Sequence, residues 1–229
     1  MILDKPAMTP KILILAPAYN AARHIPELVA RLEPFAAVED VLFVNDGSTD
    51  DTDDVLRRYR CRRVTFPVNL GKGEALKAGF AYALDHGYDA VVTIDADLQH
   101  KPEHLPAFFD SYDLADVLIG TRVIRLSLMP PDRLLTNNLT SIIISIFGSC
   151  RVRDSQSGYR LIKASALRRL QLMSERYDTE SEMLFQTGYL GFSAAEVAIE
   201  TVYEGSRSFI NPVKDTLRFI RQIWKRLWY

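Results

Sequence analysis

The fold is indicated most directly by residues 90–99, which read AVVTIDADLQ. Five residues of apolar or β-branched type, at 90–94, stand immediately before two aspartates that one residue separates. A short apolar run of this kind is typical of a strand that is buried in a sheet. The stretch therefore predicts a buried strand that ends in an acidic loop.

The two aspartates of this loop, Asp95 and Asp97, repel each other unless a cation neutralises them. Carboxylate oxygens are ligands that suit Mg²⁺ or Mn²⁺, and Gln99 adds a further oxygen. The alternative interpretation is an acidic turn that caps the next helix. The strand context and Gln99 favour a divalent metal site.

Similar apolar runs alternate with helical patterns along the chain, which is typical of parallel βαβ units. We predict strands at residues 11–17, 41–45, 64–67, 90–94, 116–120, 159–163 and 194–202. We predict helices at residues 25–32, from a cap at Ser48 or Thr49 to about 59, at 71–84, from 101, and at 133–147, 179–189 and 212–228. The first strand should end at Pro17, because proline cannot donate to a sheet ladder. The pattern predicts an α/β protein with a mostly parallel sheet flanked by helices.

The bulk composition excludes several classes of protein. The chain has 229 residues and a formal net charge of -1, which gives no reason to expect a nucleic-acid partner. Cys61 and Cys150 cannot form a disulfide framework, so we expect a reducing compartment. No signal-peptide pattern is present, and no stretch approaches the roughly 18–20 apolar residues that a membrane span requires. We therefore expect a protein that does not span a bilayer.

Three loops should meet at one edge of the sheet, because parallel strands bring their carboxyl ends together. They are residues 17–20, 45–49 and 95–99. Asp46 could accept hydrogen bonds from a nucleobase, while Gly47 lets the chain turn closely past it. Lys72, between two glycines at a helix start, could lie against a nucleotide phosphate or ribose.

Four motifs in this order resemble family 2 glycosyltransferases of the GT-A fold: PAYN at 17–20, NDGS at 45–48, NLGKG at 69–73 and DADLQ at 95–99. Downstream, GTR at 120–122, Arg133, DSQSGYR at 154–160 and Arg207 resemble the dolichol-phosphate mannose synthase branch. That branch includes bacterial transferases that use undecaprenyl phosphate. The resemblance covers about residues 11–211.

This resemblance implies roles for particular residues. Those implied to bind the nucleotide sugar are Pro17, Tyr19, Asn20, Asp46, Lys72, Asp95, Ala96 and Asp97. Asp97 and Gln99 would bind Mg²⁺ or Mn²⁺, and Arg122, Arg133 and Arg207 would surround an acceptor phosphate. Asp97, Arg122 and Asp154 are the candidate catalytic residues. A surface ion pair is the alternative for each arginine, and a simple turn is the alternative for Asp154.

The sequence departs from the branch at Ala21, where glutamate is common, and at Asn45, where aspartate is usual. These departures leave the donor base, uracil or guanine, open. The metal-binding residues are intact.

We divide the chain into a glycosyltransferase domain at 1–211 and a C-terminal helix at 212–229. The domain has a nucleotide-binding half at about 11–120 and an acceptor half at about 121–211. The C-terminal helix would carry an apolar face beside a basic row of Lys214, Arg218, Arg221 and Lys225. Such helices lie on anionic membrane surfaces, although packing on the domain or in a dimer is the alternative.

The sequence thus predicts inverting, metal-dependent transfer of a sugar from a nucleoside-diphosphate donor to a polyprenyl phosphate. The enzyme would be peripheral, at the cytoplasmic face of a membrane. One alternative is a soluble family 2 transferase that acts on a hydroxyl acceptor with Asp154 as the base. Two more are a sugar-nucleotide nucleotidyltransferase, which would need a glycine-rich basic first loop, and a non-catalytic nucleotide-binding module.

Overall fold

The computed structural model describes residues 9–122, 152–173 and 179–200 of the chain. Within these residues the strands are β1 (Ile12–Ala18), β2 (Val41–Asn45), β3 (Arg62–Thr65), β4 (Ala90–Thr93), β5 (Val117–Arg122), β6 (Arg160–Lys163) and β7 (Ala194–Ile199). The helices are α1 (Ile25–Leu32), α2 (Thr52–Leu56), α3 (Lys72–Asp85), α4 (Leu105–Asp110), α5 (Ala164–Leu167) and α6 (Thr179–Tyr189). None of these described helices has the length and apolar composition that a membrane crossing requires.

The strands form a single sheet in the order β3-β2-β1-β4-β6-β5-β7. β6 runs antiparallel to both of its neighbours, and the other neighbouring strands are parallel. The predicted α/β class with a mostly parallel sheet is therefore confirmed.

Successive side chains of the central strands point to opposite faces of the sheet, so the core has two layers. Ile14 and Phe43 pack on one face of the sheet with α1, whereas Leu13 and Leu42 pack on the other face with α3. All four side chains are fully buried. Helices therefore cover both faces, which is why these strands are almost continuously apolar.

The reversed direction of β6 decides where the site lies. Arg160, its first residue, pairs with Thr93, the last residue of β4. The loop that precedes β6 therefore lies at the same edge of the sheet as the acidic loop that follows β4. Apolar periodicity predicts that a segment is a strand. It predicts neither the position of the strand in the sheet nor its direction.

Some predicted boundaries differ from those in the structure. β1 continues through Pro17 to Ala18. Its ladder with β4 ends at Leu15, and among the described strands it pairs beyond that point with β2 alone, so the missing N–H of Pro17 interrupts no ladder with β4. β3 lies two residues earlier than predicted, and β7 ends at Ile199. The helices predicted at 133–147 and 212–228 lie outside the described residues.

The predicted cap of the second helix is wrong. α2 begins at Thr52, and its N-cap residue is Asp51, which makes no side-chain capping bond. Ser48 and Thr49 instead contact the loop after β1. Their hydroxyl and backbone N–H groups connect the loop after β2 to the loop after β1. A hydroxyl that makes such a contact is not available to cap a helix.

Gly47 fixes the loop after β2 against the loop before α3. Its φ is +63°, a conformation that side chains rarely adopt, and a Cβ atom there would lie 2.2 Å from the carbonyl carbon of Val68. Only glycine permits this close approach of two backbones.

We expect Gly47→Ala to lower the free energy of unfolding by about 3 kcal/mol, from left-handed strain and steric overlap together. Gly87→Ala is the matched control, because Gly87 has a φ of +68° but nothing within 4 Å of the point where a Cβ atom would stand. The control should cost only about 1 kcal/mol. Urea denaturation measures both, and equal losses would contradict the role given to Gly47.

Candidate active site

The loops after β1 and β2 are joined through Asn20. Its side-chain oxygen accepts hydrogen bonds from the backbone N–H groups of Thr49 at 2.8 Å and Asp50 at 3.3 Å. Its own N–H donates to Ser48 Oγ at 2.9 Å. Asn20 has a φ of +51°, which asparagine tolerates better than most residues. Asn20 therefore shapes the rim of the site, and its contact with a nucleotide sugar remains a prediction.

Asp46 holds the loop that leads into α3. The residue is only 4% exposed, and its two carboxylate oxygens accept hydrogen bonds from the N–H groups of Leu70 at 2.7 Å and Gly71 at 2.9 Å. The carboxylate was predicted to meet a nucleobase, and that contact remains a prediction, since each oxygen can accept a second bond. In this structure Asp46 organises the loop that would surround the base.

The remaining predicted residues of the nucleotide site lie around the same edge. Tyr19 is 51% exposed at the end of β1, and Pro17 is half-buried within that strand. Ala96 is buried in the core layer that also contains Ile94. Tyr19 is therefore accessible to a ligand. The Ala96 side chain is packed in the core, and its predicted contact with a nucleotide sugar stays a prediction.

Lys72 lies between two carboxylates. Its Nζ is 2.6 Å from Asp95 Oδ1 and 2.8 Å from Glu180 Oε1. Burial alone would lower the pKa of Lys72, but the charges of Asp95 and Glu180 outweigh it, so the pKa is raised above its usual value. Lys72 therefore stays protonated, and its ammonium group is paired within the protein.

Space for this ion cluster depends on Gly158, in the loop before β6. A Cβ atom at Gly158 would lie 2.8 Å from Asp95 Oδ2 and 3.0 Å from Lys72 Nζ. The carbonyl of Gly158 accepts a hydrogen bond from Thr93 Oγ1 at 2.7 Å. The loop is therefore held directly against the end of β4.

Asp97 lies on the open side of the acidic loop. One of its oxygens accepts a hydrogen bond from the N–H of Gln99 at 3.0 Å. The residue is exposed to solvent, but protein atoms crowd its carboxyl group, and this burial, followed by the charge of Asp95, raises the pKa of Asp97. Both effects disfavour the charged form of Asp97, and a cation bound beside it would favour that form again.

The ligand chemistry at Asp97 and Gln99 fits Mg²⁺ or Mn²⁺. Among the described residues there is no group of three or more His, Cys, Asp or Glu side chains that could hold a metal ion. A sparse protein set is what Mg²⁺ commonly uses, since substrate phosphates and water complete its coordination. Asp97 and Gln99 therefore fit a cation that is shared with a bound diphosphate.

Arg160 organises the loop before β6. It is 1% exposed, and its guanidinium donates to the carbonyls of Ser157 at 2.7 Å, Ser155 at 2.7 Å and Glu180 at 2.6 Å. The fixed fork of an arginine suits three acceptors in different directions. Arg160 therefore attaches this loop to the start of α6.

The candidate acceptor residues are described only in part. Asp154 is completely buried in the loop that Arg160 organises. Arg122 is the last residue of β5, and its backbone lies at the same edge of the sheet. The side chain of Arg122 and the whole of Arg133 and Arg207 lie outside the described part of the chain.

The sequence motifs did not predict the roles of two residues in this region, Glu180 and Arg160. Arg160 belongs to the motif at 154–160, but the motif assigned it no contact. A glutamate in the first turn of a helix gives no signal of its own, because helix dipoles favour acids there generally.

The chain is similar in sequence to known glycosyltransferases. Residues 13–171 match the family described as Glycosyl transferase family 2. The chain is 32% identical over 203 residues to the undecaprenyl-phosphate mannosyltransferase of Micrococcus luteus, covering 84% of each protein. It is 29% identical over 216 residues to the UDP-N-acetylglucosamine–dolichyl-phosphate N-acetylglucosaminyltransferase of Methanococcus voltae, covering 84% of this chain and 86% of that one.

A solved structure has the same fold. The glucosyl-3-phosphoglycerate synthase from Mycobacterium tuberculosis, in complex with Mn²⁺, uridine diphosphate and glucosyl-3-phosphoglycerate, superposes with a TM-score of 0.71. The identity is 20%, and the match covers 95% of this chain and 80% of that one. This similarity identifies the fold as GT-A.

We expect Asp97→Asn to abolish metal-dependent stabilisation by a nucleoside diphosphate, because the amide lacks the negative charge that would bind the cation. In the wild-type protein, Mn²⁺ with UDP or GDP at about 100 times the dissociation constant should add about 2.7 kcal/mol of stability, seen as a higher melting temperature. Asp54→Asn, at an exposed acid of α2, is the control. Unchanged stabilisation of Asp97→Asn would contradict the metal role.

Proposed function

Because the chain belongs to glycosyl transferase family 2 and is a glycosyltransferase, we propose that it transfers a sugar from a nucleoside-diphosphate donor to a polyprenyl phosphate. The observation that carries the proposal is the group of charged side chains after β4. Asp95 forms an ion pair with Lys72, and Asp97 lies two residues further along the same loop. The similarity to two polyprenyl-phosphate transferases supports the choice of acceptor. We assign the donor half to residues 11–120 and the acceptor half to 121–211.

The donor half would hold the leaving group. Asp97 and Gln99 would ligate Mg²⁺ or Mn²⁺, which supplies a Lewis acid that neutralises the departing diphosphate. Asp95 would contact the ribose side of the donor, and Tyr19 offers an exposed ring beside the base. These contacts orient the anomeric carbon towards the acceptor half.

The acceptor half would position an anion. A phosphate oxygen of the acceptor forms the new bond to the anomeric carbon while the bond to the nucleoside diphosphate breaks, which inverts the configuration. A phosphate is already ionised near neutral pH, so this step needs no general base. Arg122, Arg133 and Arg207 would bind the phosphate through bidentate hydrogen bonds and reduce its repulsion from the donor.

Burial of Asp154 supports a phosphate over a hydroxyl acceptor. A hydroxyl must lose a proton during transfer, and Asp154 was the candidate base for that route. A base has to reach the acceptor directly or through one water molecule. Asp154 is 0% exposed, so in this arrangement it is better suited to holding its loop.

Family membership argues against a sugar-nucleotide nucleotidyltransferase and against a non-catalytic module. The nucleotidyltransferase forms a different bond, and the non-catalytic module has no need of the intact acidic loop. Neither agrees with a chain that matches family 2 over residues 13–171.

We also propose that the enzyme is peripheral at the cytoplasmic face of a membrane, through the amphipathic segment 212–229. A polyprenyl phosphate keeps its chain in the bilayer and presents its phosphate at the surface. An enzyme that lies on this surface can reach the phosphate without crossing the membrane.

The acceptor can be tested with two lipids that differ only in the reacting group. With a panel of radiolabelled UDP- and GDP-sugars, we expect label to enter the lipid extract with undecaprenyl phosphate and not with undecaprenol. The product should be acid-labile and should require Mg²⁺ or Mn²⁺. Transfer to undecaprenol, or only to a water-soluble acceptor, would refute the proposed acceptor.

Membrane association can be tested by flotation of the full chain with vesicles. We expect binding to vesicles that contain anionic lipid, and loss of binding by about 10³-fold when Lys214, Arg218, Arg221 and Lys225 are all changed to Gln, at about 1 kcal/mol for each charge. The control changes four exposed basic residues elsewhere, Arg58, Arg60, Arg63 and Arg168, to Gln. Wild-type protein that stays in the soluble fraction would disprove peripheral association.

A further inference from the structure

Lys72 joins three elements that are far apart in the sequence. It is the first residue of α3, Asp95 follows β4, and Glu180 lies in the first turn of α6. Its ammonium group lies within 2.8 Å of both carboxylates, so the two acids share one positive charge. Lys72 therefore links Asp95 to Glu180, which lies 85 positions later in the chain.

Glu180 is held in place independently of Lys72. It is 5% exposed, and its backbone carbonyl accepts a hydrogen bond from the buried guanidinium of Arg160. The backbone of Glu180 is therefore held in place, and its buried carboxylate reaches Lys72 Nζ at 2.8 Å. A flexible surface glutamate would not constrain the lysine in this way.

The burial of Glu180 is costly for the protein. Within the described part of the chain, its Oε2 is buried and has no hydrogen-bond partner. An incompletely satisfied buried carboxylate lowers stability, and such groups are concentrated at functional sites. This cost indicates that Glu180 serves the neighbouring site rather than the stability of α6.

The net negative charge in this region can balance the charge of a divalent cation. Asp95, Asp97 and Glu180 carry three negative charges, and Lys72 carries one positive charge. His100, whose Nδ1 lies 3.4 Å from Asp95 Oδ2, adds charge only when it is protonated, so with a neutral His100 two negative charges remain. If Glu180 were neutral, Lys72 would pair with Asp95 alone, and one negative charge would remain. The attraction for a divalent cation would then be weaker.

We propose that Glu180 is a positioning residue of the donor site, which acts on Asp95 through Lys72. By sharing the lysine, it fixes the direction of the Asp95 carboxylate and keeps part of its negative charge available to the metal–nucleotide complex. This inference rests on the proposed function, because it assigns the residues around Asp95 to donor binding.

The main test compares two buried glutamates of the same helix. Glu182 is 7% exposed, and its carboxylate accepts hydrogen bonds from Met173 N–H and Gln186 Nε2. We expect Glu180→Gln to weaken binding of Mn²⁺ with UDP or GDP by about tenfold in calorimetry, the effect typical of residues that orient metal ligands. Glu182→Gln should change it by less than about twofold, since it lies outside the ion cluster.

Kinetics separate a positioning role from a general loss of structure. In Glu180→Gln the donor KM should rise, whereas the KM for undecaprenyl phosphate should stay the same. A variant that is merely less stable would lower the active fraction and leave both KM values unchanged. Equal nucleotide affinity in Glu180→Gln and wild type would overturn the inference.

A double-mutant cycle tests whether Glu180 acts through Lys72. In a Lys72→Met background, Glu180→Gln should have little further effect on nucleotide affinity, because the connecting ammonium group is already gone. Independent, additive effects would refute this route. Should Glu180→Gln fail to fold, Glu180→Asp keeps the charge on a shorter side chain and should weaken binding several-fold.

The two proposals fail in different ways. Wild-type protein that binds neither UDP nor GDP with Mn²⁺ would refute the proposed function together with this inference. Wild-type binding that Glu180→Gln leaves unchanged would refute only the role of Glu180.

Discussion

Negative charge at the carboxyl end of β4 is the constraint on which the site depends. Asp95 and Asp97 lie one residue apart, and their repulsion has to be relieved within the protein or by a ligand. Lys72 relieves part of it by pairing with Asp95, and it also pairs with Glu180. Asp97 lies on the open side of the loop, and burial of its carboxyl group, followed by the charge of Asp95, raises its pKa. The protein thus pairs the Asp95 carboxylate with a lysine, and the Asp97 carboxylate is the one that we propose for the cation.

The reversed strand β6 makes this arrangement possible. Because β6 runs against β4, the loop that precedes it returns to the edge where the acidic loop lies. Gly158 gives the ion cluster its space, and Arg160 ties the same loop to the start of α6. The acidic loop after β4, the loop before β6 and the start of α6 therefore meet around Asp95 and Lys72. A change in any of these segments would alter the surroundings of the Asp95 carboxylate.

Polar side chains connect the loops at the carboxyl ends of the strands. Asn20 connects the loops after β1 and β2, and Asp46 holds the loop before α3 through two backbone N–H groups. These polar side chains satisfy the backbone where the sheet ends, which is why the loops remain ordered without regular structure. Tyr19 stays exposed beside them. A ligand would therefore meet a preformed rim around an acidic floor, which lowers the entropic cost of binding.

The sequence by itself determined the α/β class, the strands at the centre of the sheet and the acidic loop after β4. Apolar periodicity and carboxylates at strand ends are local properties of the sequence. The bounds of the helices at Ile25–Leu32 and Thr179–Tyr189 agree with the prediction because they too follow from local patterns. Tertiary structure alone decided the direction of β6, the use of Ser48 and Thr49 as loop contacts instead of helix caps, and the pairing of Lys72 with Glu180. Each of these depends on which distant segments become neighbours. A single sequence carries no local signal for such contacts, because the residues that make them are ordinary turn or helix residues until the sheet brings them together.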